Sequence, residues 1–238
     1  MNETINNFKP FDTIAGINQI EEIENYILPE TIIITMDDIW SLYKKRFPKN
    51  IDVYFVNTLE EKELEREVSK FKNYKMIIGF GGGQALDVAK YFSWKCNLKL
   101  FQFPTSISVD AVFGHRSGIR RGGNVNYIGW AIPECVFLDY EIIQSAPKIY
   151  NYSGIGDVLC FYTGVLDWQY ANKQNKCEGK WSYKSELANK SLGYVEDLLL
   201  NVENIKEMNE EGINAIINAH QWGGNSFFSS GWNPRHIE

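Results

Sequence analysis

The chain has 238 residues, of which 44% are hydrophobic and 23% charged, a composition that excludes a disordered or fibrous protein. Its formal net charge of -6 argues against nonspecific nucleic-acid binding, which depends on a basic surface. Since no apolar run is long enough to span a membrane and the N-terminus lacks the pattern of a signal peptide, we expect a cytoplasmic protein that contacts neither nucleic acid nor membrane.

Short apolar runs alternate with helical patterns over the first part of the chain. The runs that predict strands are ETIIITMDD, IDVYFV, YKMIIGF, LKLFQFPTS and CVFLD. Helical spacing follows three of them, in DIWSLYKKRF, TLEEKELEREVSKF and QALDVAKYFSW. This alternation predicts an α/β fold, a Rossmann-like parallel sheet with helices on both faces and ligand sites at the carboxyl ends of its strands.

The pattern changes near Pro147, after which no comparable strand candidate appears. The segments NYSGIGDVLCFYTGVLDWQYAN, KSELANKSLGYVEDLLLNV and NEEGINAIINAHQWGGNSFFSS predict helices. We therefore predict an α/β domain over residues 1–147 and an all-α domain over residues 148–238.

The four cysteines, Cys96, Cys135, Cys160 and Cys177, are widely spaced and include no CxxC pair. Such spacing fits neither a zinc ribbon nor a dense disulfide framework. We expect reduced, buried thiols.

Three consecutive glycines, Gly81 to Gly83, separate the third predicted strand from the helix that follows it. Glycines let backbone N–H groups come close to an anion, and a helix N-terminus adds partial positive charge, so a pyrophosphate is the natural ligand. A tight turn without a ligand remains an alternative, since the run is not GxGxxG. Asp87 follows either as an acceptor for a ligand or as a first-turn acid favoured by the helix dipole.

The segment FPTSISVDAVFG places hydroxyl groups and then Asp110 at the end of the fourth predicted strand. Its hydroxyls could donate to a phosphate, a ribose or a carboxamide; alternatively, it is a serine-rich loop in which Asp110 caps a helix. Asp157, in SGIGDVL, is either a metal ligand or a residue that caps the N-terminal turn of its helix. The only histidines are His115, His220 and His236, and their spacing favours none of them as a ligand.

In this order, GFGGGQALDVAK, FPTSISVDAVFG and the long segment from IPECVFLD to VLDWQYA resemble the iron-containing alcohol dehydrogenases, a family that includes glycerol dehydrogenases, glycerol-1-phosphate dehydrogenases and dehydroquinate synthases. The resemblance runs from about Asp37 onward. The segments LDW and SSGWNPRHIE favour the glycerol and glycerol-1-phosphate dehydrogenase branch.

The resemblance implies that the first domain binds a dinucleotide, with the glycines holding its pyrophosphate and Asp87 on the nicotinamide side. Asp37 lies where an acid would bind the adenine ribose hydroxyls, which favours NAD over NADP. The cofactor residues that the resemblance implies are Asp37, Gly81, Gly82, Gly83, Gln84, Ala85, Asp87, Thr105, Ser106, Ser108 and Gly114.

The same resemblance assigns catalytic roles to Asp110, as a contact for substrate hydroxyls, and to Asp157, as the first ligand of a divalent metal, Zn or Fe. The family adds two histidine ligands. His236 lies in a position next to that of the first of them and could substitute for it. A complete metal site is not expected from this chain alone, so the helical domain is expected to be incomplete relative to the family.

These observations predict an NAD-dependent, metal-requiring oxidoreductase that acts on a small polyol, glycerol or glycerol-1-phosphate, and assembles as a homo-oligomer. Two alternatives stay open: a cyclase or lyase like dehydroquinate synthase, and an incomplete fragment that only binds nucleotide. The segment GHRSGIRRGGNVNYIGW contains His115 and three arginines that could bind a substrate phosphate, or it forms a solvated hairpin.

Overall fold

The computed structural model describes the backbone of residues 12–229 and the side chains of residues 12–226. These residues form two compact units. The sheet unit comprises residues 12–106 and Gly114–Ala146, and the helical unit comprises Ile107–Phe113 and residues 147–229.

The sheet unit contains eight strands and five α-helices among its described residues. They are β1 (Thr13–Gly16), α1 (Gln19–Glu22), β2 (Thr31–Thr35), α2 (Asp37–Tyr43), β3 (Asp52–Phe55), α3 (Glu61–Glu67), β4 (Met76–Gly81), α4 (Gly83–Cys96), β5 (Lys99–Pro104), β6 (Ser117–Arg121), β7 (Asn124–Ile128), β8 (Cys135–Asp139) and α5 (Tyr140–Ser145). The helical unit contains α6 (Lys148–Lys173), α7 (Ser185–Leu200), α8 (Val202–Glu207) and α9 (Glu210–Ser229). Short 3-10 helices cover Ile23–Tyr26, Lys44–Arg46, Val68–Phe71, Asp110–Val112 and Gly179–Trp181.

Six strands form a parallel sheet in the order β1-β8-β5-β4-β2-β3. Strands β2, β3, β4, β5 and β8 are the five predicted from sequence, so the predicted α/β fold is confirmed. The edge strand β1, with the sequence TIAG, was missed because it has four residues and none of them is fully buried. Without a continuous apolar run, such a segment carries little strand signal.

Helices cover both faces of this sheet and bury a separate core on each. On one face, Leu64 of α3 and Val88 and Phe92 of α4 pack with Ile77 of β4. On the other face, Ile20 of α1 and Ile142 of α5 belong to a second buried cluster with strand residues. Strand β4 is buried along its whole length, which is why its sequence, MIIGFG, is apolar without alternation.

Strands β6 and β7 form an antiparallel hairpin whose turn is Gly122 and Gly123, both at positive φ (59° and 81°). A two-residue turn of this kind favours glycine, since other residues rarely adopt those angles. The side chain of Glu60 accepts hydrogen bonds from the backbone N–H groups of Gly122 (3.2 Å) and Gly123 (2.9 Å), and Arg121 pairs with Glu61. The segment is therefore a hairpin, as one of the two alternatives predicted.

The helical unit has its own buried cluster, in which Trp168 and Val165 of α6 pack against Ala188 of α7. The regular elements among its described residues are all helices, as predicted. In the part of the chain that the structure describes, none of the helices combines the length and the apolar character that crossing a membrane requires.

All four cysteines are free thiols, which confirms that part of the prediction. Cys135 is buried, and burial raises the pKa of its thiol to about 11. Cys160 is exposed, and Cys96 and Cys177 are half-buried, so the expectation of burial is confirmed only at Cys135. The helical pattern of α6 places Cys160 on the outer surface of the unit.

Candidate functional site

The order of strands in the sheet creates a crevice at the carboxyl ends of β2 and β4. The chain leaves β2 through α2 toward β3 on one side, and it leaves β4 through α4 toward β5 on the other. Ligands of open parallel sheets bind where the connections diverge in this way. The first residue of α2, the exposed Asp37, and the three glycines after β4 follow the two strands that flank this crevice.

The fold itself requires glycine at one of these positions and not at its neighbour. Gly81 has φ of 150°, and its carbonyl accepts a hydrogen bond from Thr105 N (3.0 Å). Gly82 has ordinary extended angles (φ -79°, ψ -176°), and a Cβ there would find Ser106 Oγ at 3.8 Å, an ordinary contact. Since packing leaves room for a side chain at Gly82, its glycine is best explained by close approach of something else to the backbone.

Helix α4 begins at Gly83, directly after Gly82, and no side chain caps it. The N–H groups of its first turn have no carbonyl partner within the helix, and they carry the positive end of the helix dipole. The start of α4 therefore presents uncapped N–H groups behind a run of glycines at the crevice of the sheet. Such an arrangement is suited to bind the pyrophosphate of a dinucleotide.

The carboxylate of Asp87 is paired with a buried lysine of its own helix. Its Oδ1 lies 2.8 Å from Nζ of Lys90, a side chain that is 1% exposed, and Lys90 also donates to the carbonyl of Arg116 (2.6 Å). The first turn of α4 contains no acid, so the alternative that Asp87 is a first-turn acid was wrong. The role of Asp87 near a nicotinamide stays a prediction.

His115 is buried against the indole of Trp130, with ring centroids 4.7 Å apart. Burial, with smaller effects of Arg116 and Lys90, lowers the pKa of His115 from 6.5 to about 4. The imidazole is therefore uncharged at neutral pH, which rules it out as a cation for a substrate phosphate. Arg121, paired with Glu61, has its charge already balanced.

We expect His115 to make the stability of the protein depend on pH. In the unfolded chain the imidazole takes up a proton below pH 6.5, whereas in the folded chain it does so only near pH 4, so stability is full above 6.5 and falls as pH approaches 4. Between pH 7.5 and 5, the unfolding free energy of the parent should fall about 2 kcal/mol more than that of His115→Gln. Urea unfolding at pH 7.5 and at pH 5 measures these free energies. Equal changes in unfolding free energy for the parent and His115→Gln would contradict the prediction.

In the helical unit, the 107–113 segment brings Asp110 next to Asp157. The backbone N–H of Asp110 donates to Asp157 Oδ2 (2.9 Å), and Nε2 of the buried His220 lies 3.7 Å from the same oxygen. His220 Nε2 also lies 3.3 Å from the carbonyl oxygen of Gly154. Burial lowers the pKa of His220, and the nearby Asp157 carboxylate acts in the opposite direction.

The capping alternatives for both acids were wrong. Helix α6 begins at Lys148, behind Pro147, so Asp157 lies more than two turns inside it. Asp110 is the first residue of its 3-10 helix, whose N-cap is Val109. The two acids that the sequence singled out are thus neighbours in one unit, although their side chains do not cap helices.

The predicted cofactor residues divide between the two units. Thr105 and Ser106 lie beside the glycines of the sheet unit. Ser108 belongs to the helical unit, where its carbonyl accepts from Ser153 Oγ (3.2 Å). Sequence reasoning missed the buried Asn151, whose Oδ1 accepts from Ile107 N (3.0 Å), because a single asparagine within a helix carries no signal of its partner.

Comparison with known proteins points to one family. The sequence model of the iron-containing alcohol dehydrogenases matches residues 39–147. A protein of Pyrococcus horikoshii named glycerol-1-phosphate dehydrogenase (NAD(P)+) is 31% identical over 224 residues, which cover 88% of this chain and 63% of that relative. The chain belongs to the iron-containing alcohol dehydrogenase family.

Solved structures of this family have the same fold. A probable glycerol dehydrogenase of Sinorhizobium meliloti 1021 superimposes with a TM-score of 0.74 at 17% identity, over 92% of this chain and 65% of that one. The glycerol dehydrogenase of Schizosaccharomyces pombe gives a TM-score of 0.73 at 19% identity, over 90% of this chain and 60% of that one. This family member spans less than two thirds of the length of each of these relatives.

A metal of the kind that the family name implies is not accommodated by the described residues alone. Among residues 12–226, no group of three or more His, Cys, Asp or Glu side chains could hold a metal ion. Asp157 and His220 are adjacent, but two side chains do not make a site. His236, the other predicted ligand, lies outside the described residues.

Proposed function

We propose that this chain is an NAD(P)-dependent oxidoreductase that transfers hydride between a nicotinamide and a secondary alcohol of glycerol or glycerol-1-phosphate. The observation that carries the proposal is the identity of 31% over 88% of the chain with a protein named for that activity. The glycine-lined helix start at the crevice of the sheet supports the cofactor part of it. The dehydroquinate synthase alternative is not favoured, because the relatives reported above carry dehydrogenase names.

We propose roles for residues that bind the cofactor and for one that binds the substrate. When bound, the dinucleotide supplies a carbon that accepts or donates the hydride. The first-turn N–H groups of α4 would hold its pyrophosphate, with Ser106 next to Gly82 as an additional donor. The carboxylate of Asp110 would accept hydrogen bonds from substrate hydroxyls and so orient the reacting carbon.

A divalent metal, Zn or Fe, belongs to this proposal as an expectation of the family, with Asp157 as one ligand and His236 as a candidate. The described residues do not complete a site for it. A homo-oligomeric state is likewise proposed and is measurable by light scattering.

Asp37 is proposed to select NAD over NADP, since an exposed carboxylate at the end of β2 repels a 2′-phosphate. Asp37→Ser should therefore raise the affinity for NADPH relative to NADH by about tenfold, or about 1.4 kcal/mol. The neighbouring Asp38→Ser is the matched control, because Asp38 is also exposed and its Oδ1 accepts from Ile39 N (2.9 Å). Equal shifts in both variants would contradict the assignment.

The proposal as a whole is tested by titrating the purified chain with NADH and assaying Zn and Fe in the same sample. Turnover is then measured with NAD and either glycerol or its 1-phosphate. We expect NADH binding and net NADH formation with at least one of the two substrates. NADH formation excludes a cyclase, which regenerates its cofactor in each turnover, whereas failure to bind NADH would overturn the proposal.

A further inference from the structure

The 107–113 segment lies directly on the helices α6 and α9. The buried Asn151 of α6 accepts a hydrogen bond from Ile107 N, and Asp157 accepts one from Asp110 N. The side chains of Ile107 and Phe113 are buried. Hydrogen bonds thus fix the backbone of the segment at its first residue and at its middle, and the buried Phe113 anchors its end.

Glycines on the two helices make this close approach possible. A Cβ at Gly154 would lie 2.0 Å from the carbonyl oxygen of Ile107, and one at Gly224 would lie 2.3 Å from that of Phe113. Both distances are far below a van der Waals contact, so a side chain at either position would force the segment off the helices. These two glycines serve the packing of backbone against backbone.

Gly223 differs from both, because its nearest neighbour is a carboxylate. A Cβ there would lie 3.1 Å from Asp110 Oδ2 and 3.5 Å from Phe161 Cζ. The second distance is an ordinary contact, whereas the first requires the carboxylate to move by a few tenths of an ångström. The backbone of Asp110 cannot follow freely, since its N–H is bound to Asp157.

We propose that Gly223 is a positioning residue for Asp110: its bare backbone leaves the space in which the Asp110 carboxylate takes its orientation toward the substrate. The inference rests on the proposed function for the role of Asp110, and on the structure for the contact. A methyl group at position 223 rotates the carboxylate and removes part of its solvation. The Asp110 carboxylate then no longer accepts hydrogen bonds from the substrate hydroxyls in the orientation that the reaction requires.

The contact is tested by thermal unfolding of Gly223→Ala in two backgrounds, the parent and Asp110→Ala. Alanine is favoured over glycine inside a helix, so the control Gly193→Ala, on an exposed and open position of α7, should raise Tm by about 2–4 °C. Gly223→Ala should raise Tm by as much only in the Asp110→Ala background. In the parent the rise should be absent, because the methyl group meets Asp110.

Kinetics in the same variants test the positioning role. Gly223→Ala should lower kcat/KM for the polyol by about tenfold or more and leave the Kd for NADH unchanged. In the Asp110→Ala background the substitution should have no further effect on kcat/KM. Gly193→Ala should match the parent in both measurements.

The outcomes separate this inference from the proposed function. Equal Tm shifts of Gly223→Ala in the two backgrounds would overturn it, as would coupled shifts with unchanged kcat/KM. Coupled shifts in a parent that shows no turnover would support the contact and refute the dehydrogenase. If Gly223→Ala does not fold, recovery of folding in the Asp110→Ala background supports the same contact, and no recovery overturns it.

Discussion

Replacing Gly82 with valine is expected to weaken NADH binding by at least about 100-fold, roughly 3 kcal/mol, with little change in the stability of the fold. The backbone angles of Gly82 are accessible to any residue, and the nearest atom to a Cβ there is 3.8 Å away. Among the described residues, packing therefore leaves room for a Cβ at this position. A side chain would instead stand in front of the first turn of α4, where the pyrophosphate is proposed to lie.

A graded series sharpens this test. Gly82→Ala should lose affinity by about tenfold, between the parent and the valine variant, as measured by calorimetric titration with NADH. Gly81→Ala is the contrasting variant: because Gly81 has φ of 150°, its replacement should cost about 1–2 kcal/mol of unfolding free energy whatever the ligand does. If Gly82→Val binds NADH within about threefold of the parent's affinity, the proposed pyrophosphate site at the start of α4 is refuted.

Trp168→Ala is expected to cost about 3–5 kcal/mol of unfolding free energy. Trp168 is buried in the core of the helical unit, with its ring 4.9 Å from that of Tyr183 and its Nε1 donating to the carbonyl of Trp181 (2.9 Å). The substitution leaves a cavity and removes the donor for that carbonyl. Urea unfolding followed by far-UV circular dichroism measures the loss.

The control for this variant lies two residues further along the same helix. Tyr170 is 66% exposed, so Tyr170→Ala should change the unfolding free energy by no more than about 0.5 kcal/mol. Trp168→Phe keeps an aromatic ring but lacks the N–H donor. Its cost in unfolding free energy should therefore lie between those of Trp168→Ala and Tyr170→Ala. A cost for Trp168→Ala close to that of Tyr170→Ala would show that this cluster is not the core of the helical unit.

Local pattern was enough to predict most of the sheet. Strands such as β2 and β4 are continuous apolar runs, since both faces of a parallel sheet are covered. The edge strand β1 lacks that pattern and was missed. The glycine run was correctly singled out, but only the backbone angles distinguish Gly81, which the fold requires, from Gly82, which it does not.

The candidate site in the helical unit could be predicted only in part. Asp110 and Asp157 were both singled out, and the structure joins them by a hydrogen bond across 47 positions of the chain. The sequence also left helix capping open as an alternative for both acids, and the positions of the helix starts show that this alternative was wrong. The contributions of Asn151 and Gly223 depend on which residues of the 107–113 segment lie over them, and no local pattern encodes that.

The sequence by itself determined the alternation of strand and helix, the position of the glycines at the carboxyl end of a strand, and the family, because each rests on local patterns and on their order along the chain. Only the tertiary structure decided that the 107–113 segment packs with the helical unit, that His115 is buried and uncharged, and that Gly223 faces a carboxylate. Those properties arise from burial and from contacts between distant residues, and a side chain acquires its neighbours and its pKa only when the chain has folded.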